Sequence, residues 1–121
     1  MPETAGVRSI VAIVPAREFQ RSIDFYKALG FQADLYDGGL EYCFLHIGGC
    51  TVHLRKAALC EFTVNPGGLY VYVDDADQFH TRLMANGITP LGPPRDCPWR
   101  CREFAVSDPD GLLIRIGQLI S

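Results

Sequence analysis

Apolar and polar positions along this chain change period in a set order, and then repeat that order. Residues 9–14 are β-branched and apolar, the pattern of a buried strand. After Pro15-Ala16-Arg17-Glu18, apolar side chains recur at helical spacing, with Phe19, Ile23, Tyr26 and, one turn on, Leu29 or Gly30 on one face. Gly30 is placed to end that helix, and Phe31 opens the next strand. Residues 31–36, 40–47 and 50–55 read as three strands, separated by turns at Asp37-Gly38-Gly39 and Gly48-Gly49. Residues 56–67 read as a connection carrying Asn65-Pro66-Gly67-Gly68.

The order then starts again. Residues 69–73 alternate as a strand, Asp74-Asp75 supplies a helix cap, and 76–86 predicts a helix with Phe79 and Leu83 inward. Gly87 ends it, 88–91 predicts a strand, and a proline-rich loop follows. Residues 102–106 and 112–116 predict a hairpin about the turn Asp108-Pro109-Asp110-Gly111. Ala28-Leu29-Gly30-Phe31 lines up with Ala85-Asn86-Gly87-Ile88, so one supersecondary unit occurs twice. The expected fold is α+β: two βαβββ modules, about 9–56 and 68–118, whose curled sheets enclose a cleft within one domain of residues 1–121.

Composition narrows the function. At 121 residues the length suits one domain, and 48% hydrophobic with 21% charged is ordinary for a globular chain. The net charge of −3 comes with scattered Lys and Arg, so the electrostatic footprint of a nucleic-acid binder is missing. No apolar run is long enough to span a bilayer, and residues 1–7 lack the pattern of a secretory leader. These features point to a cytoplasmic protein with reduced thiols, which the odd count of five cysteines fits. Cys97-x-x-x-Cys101 lacks the spacing of zinc or redox motifs, so no cofactor is expected.

Trp99, the single tryptophan, follows Pro98 on a loop among Arg95, Asp96, Arg100 and Arg102, a poor context for core packing. It is the leading candidate for stacking a flat ligand. Tyr42 and Phe44 share one strand face and, with Tyr36, offer a second aromatic wall, although packing against a helix is the plainer reading. Tyr70 and Tyr72 also share a face and read as core or interface. His53 reads as a cleft histidine and a weak metal candidate. Glu41, with Asp34, Asp37 and Glu61, is placed to line a cleft entrance and attract a cation. Arg102, close to Trp99 in sequence, completes the candidate ligand contacts. Glu103 reads as an ion-pair partner of Arg100 and Arg102, and Cys43 and Cys50 as small apolar residues in strands.

Three stretches resemble the vicinal-oxygen-chelate family, which includes glyoxalase I, extradiol dioxygenases and bleomycin-resistance proteins. They are Pro15-Ala16-Arg17-Glu18-Phe19 through Asp24-Phe25-Tyr26-Lys27-Ala28-Leu29-Gly30-Phe31, the Val73-Asp74-Asp75 start of the second module, and Pro98-Trp99-Arg100-Cys101-Arg102-Glu103-Phe104-Ala105 through Gly111. The last is similar to the bleomycin-resistance branch in particular. The resemblance implies a homodimer, with residues 1–8 packed or exchanged across the two-fold, and two inter-subunit clefts. It implies a non-catalytic protein that sequesters a small molecule such as a cationic glycopeptide antibiotic, with Trp99 stacking on its planar group. The family's enzymes hold a divalent metal through His and Glu. The match puts His53 at one such place and Arg115 at another, and arginine cannot ligate. A metal-dependent enzyme of the same fold, or a binder of an unrelated metabolite, stands as the alternative.

Overall fold

The computed structural model describes residue 6, residue 9 and residues 11–38, 41–57 and 68–120. The expectations for residues 1–8, Gly39, Leu40, Glu61 and most of the 56–67 connection fall outside the described residues. Among the described residues ten elements follow in order: β1 (Ile13–Ala16), α1 (Phe19–Leu29), β2 (Gln32–Leu35), β3 (Tyr42–Ile47), β4 (Cys50–Lys56), β5 (Gly68–Tyr72), α2 (Ala76–Ala85), β6 (Arg95–Cys97), β7 (Cys101–Ser107) and β8 (Leu113–Leu119). They form two four-stranded sheets, ordered β1-β4-β3-β2 and β5-β8-β7-β6. In each sheet the first strand pairs in parallel with the last, and the other pairings are antiparallel. The repeat in the sequence is therefore a repeat in topology. Neither sheet closes on itself.

The two helices end by the same device. Gly30 takes φ 123° and Gly87 φ 86°, a region that side chains avoid. The following amide then turns back onto the last helical turn: Phe31 N donates to Tyr26 O at 2.9 Å, and Ile88 N to Leu83 O at 3.0 Å. Phe31 and Ile88 are thereby directed into the core, where both are buried. Asp75 caps α2 by accepting from Gln78 N at 3.0 Å.

Each helix covers one sheet face. Phe19, Ile23, Tyr26 and Leu29 of α1 pack with Cys43, Leu45 and Leu54, while Phe79 and Leu83 of α2 pack with Phe104, Val106, Ile114 and Ile116. Full burial of each large apolar side chain contributes about 1.5–3 kcal/mol, an upper estimate. Polar ties join the modules. Tyr26 Oη donates to Asp108 Oδ2 at 2.9 Å, and Asn86 Nδ2 donates to Ala28 O at 3.0 Å. Arg17 Nε meets Asp110 Oδ1 at 2.7 Å.

Three expectations need correction. The first strand lies later than 9–14 and contains Pro15, which is tolerated because β1 is an edge strand pairing only with β4. Residues 88–91 are not a strand. Pro90, Pro93 and Pro94 have no amide hydrogen for a ladder, one bond from Leu91 N to Ala105 O (2.9 Å) attaches the segment, and Arg95–Cys97 takes the edge instead. Cys50 is exposed, because it follows directly on the Gly48-Gly49 turn, whereas Cys43 is buried as expected.

Candidate functional site

With one face of each sheet under its helix, strand alternation sends every second side chain to the opposite, open face. On the first sheet, Cys43 and Leu45 point to α1, so Tyr42 and Phe44 must point away from it. The register sets Phe44 opposite His53 and Tyr42 opposite Arg55. The rings meet edge to face: Phe44–His53 centroids are 4.9 Å apart, Tyr42–His53 5.4 Å and Tyr42–Phe44 5.8 Å. Tyr36 lies 6.3 Å from both Tyr42 and Phe44. A 2.9 Å hydrogen bond joins the Tyr42 hydroxyl to His53 Nδ1. Glu41 is exposed beside this cluster in sequence. On the same face, His46 sits 3.1 Å from Asp34 and 3.0 Å from Thr51 Oγ1.

The second sheet carries a different surface. Phe104 and Val106 point to α2, so Cys101, Glu103 and Ala105 face the open side. Across the ladder, Arg95 pairs with Glu103, Cys97 with Cys101, and Arg115 with both Ala105 and Tyr70. The Tyr70 ring lies over Gly117, where an added Cβ would fall 2.1 Å from its hydroxyl oxygen. Trp99 stands at the tip of the β6–β7 hairpin. Arg100 N closes the turn onto Cys97 O at 3.1 Å, and Arg100 itself takes φ 62°, the left-handed position of a three-residue hairpin loop. That geometry holds the indole out, 60% exposed.

Beneath Trp99 is a pocket of about 450 Å³ lined by Leu91, Pro93, Arg95, Glu103, Leu113 and Arg115, among others. This volume lies in the range of small-molecule sites. Glu103 is 8% exposed. Its Oε1 accepts from Cys97 Sγ at 3.3 Å, and its Oε2 is buried without a partner. Burial, followed by the adjacent Glu103 carboxylate, pushes the Cys97 thiol above its ordinary value, so it stays an un-ionised donor. Tyr70 is also pushed up, first by burial and then by Cys101 and Glu103, and remains a neutral phenol. A larger pocket of about 570 Å³ lies between the β3–β4 turn and β5–α2, away from Trp99, and is lined largely by apolar side chains such as Phe31, Ile47 and Leu69.

The structure thus brings Tyr36, Tyr42, Phe44 and His53 together and places Trp99 on the other sheet. Among the described residues no ring contact joins Trp99 to that cluster. Arg102 departs from its expected role. It lies on the helix side of β7, held by Asp77 at 2.9 and 3.0 Å and by Asp96 at 3.0 Å. Glu103 is consequently not its ion-pair partner. Tyr70 and Tyr72, read as core or interface, are 37% and 66% exposed on the open face, which overturns the core half of that reading. The alternation of β7 carried this signal: apolar Phe104 and Val106 claim the helix face, which forces Glu103 outward and Arg102 inward. Among the described residues, no three His, Cys, Asp or Glu side chains converge as a metal site. The donor set does not fit the family's divalent metal, since among the described residues no group of three ligating side chains includes His53, and β8 presents Arg115, which cannot ligate.

Two helix-backed βαβββ modules, each with one open sheet face, define a class of paired-module folds. The chain belongs to the Glyoxalase/Bleomycin resistance protein/Dioxygenase superfamily, whose profile matches residues 8–116. Among solved structures it is similar to a bleomycin resistance determinant encoded on the transposon Tn5 (22% identity, TM-score 0.78, covering 93% of this chain and 98% of that one). It is also similar to a bleomycin-binding protein complexed with bleomycin (24%, TM-score 0.74, 93% and 98%). A third is TioX from Micromonospora sp. ML1 (23%, TM-score 0.75, 94% and 100%). At these identities the likeness is one of fold. No curated protein matches the chain in sequence.

Proposed function

We propose that this protein is a homodimeric, non-catalytic binder of a flat small molecule, acting by sequestration as an antibiotic-binding protein of the bleomycin type does. The observation that carries this reading is the single tryptophan held out of the core at a hairpin tip, over a pocket of ligand size. A large exposed aromatic ring in such a place contributes more to ring stacking than to folding. Dimerisation is supported by the open faces themselves. Ile13 (55%), Tyr72 (66%) and Leu119 (72%) are exposed large apolar side chains on those faces, a surface that lone globular chains seldom leave uncovered. A two-fold arrangement setting the first sheet of one protomer against the second sheet of its partner covers both faces and makes two clefts. In each cleft Trp99 stands on one wall and Tyr36, Tyr42 and Phe44 on the other. Asp34, Asp37 and Glu41 then give the first wall a negative edge that attracts a cationic portion of the guest.

The test is a titration of Trp99 fluorescence with bleomycin, with native mass spectrometry of the same samples. Saturable quenching at one ligand per protomer on a dimer supports the reading. A monomer whose emission does not respond at high micromolar ligand overturns it for this drug.

A further inference from the structure

The pocket under Trp99 has a charge pattern that narrows what it holds. Arg95 and Arg115 both line it, and among the described residues neither guanidinium has a hydrogen bond or an ion pair. The contrast within the same sheet is sharp: Arg102, on the helix side, is held by two carboxylates. Arg95 lies opposite Glu103 in the ladder, and Arg115 lies opposite Ala105. Among the described residues the one carboxylate in the pocket lining is Glu103, which is engaged by Cys97 and approaches neither arginine within ion-pair distance.

We propose that this pocket binds a planar aromatic acid, with its anionic group between Arg95 and Arg115 and its ring against Trp99. The deduction rests on the reading of this pocket as a ring-binding site and adds the chemical class of the guest. Guanidinium groups form paired hydrogen bonds with carboxylates, and a partly enclosed pocket strengthens them relative to open water. Glu103 sets a further condition. A second anion on the guest is repelled by its carboxylate, whereas an N–H or O–H donor reaching the floor satisfies the partnerless Oε2.

The experiment is calorimetric titration of the full chain with three probes of one shape: 2-naphthoate, 2-naphthamide and 2-naphthylmethylammonium. The expected order is carboxylate tightest, amide at least tenfold weaker, ammonium weakest. Arg115→Gln and Arg95→Gln each lower naphthoate affinity about tenfold and leave the amide unchanged. Added salt weakens naphthoate binding alone. Trp99→Ala weakens all three. Equal or tighter binding of the ammonium, or an unchanged carboxylate-to-amide ratio in Arg115→Gln, overturns the charge assignment while leaving ring binding intact. Indifference of all three probes to Trp99→Ala, or no binding of any probe, overturns the ring-binding reading and this inference with it.

Discussion

Tyr26→Phe removes one oxygen atom and tests the bond that ties the two modules together. Tyr26 is fully buried, Asp108 is 4% exposed, and their hydroxyl and carboxylate oxygens are 2.9 Å apart. Asp108 Oδ1 accepts from Asp110 N at 2.8 Å and Leu112 N at 2.9 Å, so Oδ2 depends on Tyr26. A hydrogen bond to a charged group is worth roughly 1.5–3 kcal/mol net, and a buried acceptor left without a donor costs a similar amount. The substitution should therefore cost about 2 kcal/mol at pH 7. Its pH dependence follows from Asp108. Burial raises its carboxyl above the ordinary value, and the Leu112 amide, the Tyr26 hydroxyl and the Asp110 amide partly offset that rise. A raised acid binds its proton more readily folded than unfolded. Its penalty thus appears as pH climbs from the unfolded value, about 3.9, through the raised folded value, and persists above it. Deleting the hydroxyl lifts the folded value further. The cost of Tyr26→Phe is then smallest at pH 4 and complete at pH 7. Urea denaturation followed by far-ultraviolet circular dichroism at both pH values measures it. A loss under about 0.5 kcal/mol at pH 7, or equal losses at both, refutes the reasoning.

Trp99→Ala should change stability by no more than about 0.5 kcal/mol, because the indole is largely outside the core, while weakening ligand binding measured by calorimetry. Arg102→Gln should leave ligand affinity unchanged and lower the melting temperature slightly, with the difference shrinking in high salt, since its partners Asp77 and Asp96 lie on the helix side. Gly117→Ala should displace the Tyr70 ring, visible as a changed tyrosine resonance, because the new methyl falls 2.1 Å from the hydroxyl oxygen. Asp75→Ala should cost about 1 kcal/mol in thermal unfolding through loss of the α2 cap.

The ligand chemistry of the two open faces differs, and a cleft built from one of each is bipolar. The first sheet carries Tyr36, Tyr42 and Phe44 with acids at its edge, and the second carries Trp99 with Arg95 and Arg115, which have no ion pair among the described residues. Such a cleft favours an amphoteric guest over a simply cationic one.

Local rules reached far in this chain because both modules are built from short-range signals. Helix faces, the Gly30 and Gly87 stops, the Asp75 cap and the repeated element order depend on residues three to five apart, which any reader of the chain can compare. Alternation alone puts Tyr42 and Phe44 on one face, but the expected packing against a helix is overturned, because Cys43 and Leu45 take the α1 side and leave the two rings on the open face beside His53. What each face meets was decided in three dimensions. Whether Arg102 touches a guest or a helix depended on α2 lying across β7 with Asp77 in reach. Whether Glu103 is an ion pair or a buried carboxylate held by the Cys97 thiol depended on which neighbours the sheet sets beside it. The second strand of the second module moved to Arg95–Cys97 because prolines upstream cannot donate to a ladder whose position only the partner strand defines. Period and turn chemistry are properties of the chain. Burial and charge pairing are properties of the neighbours it finds, and those come from segments tens of residues away.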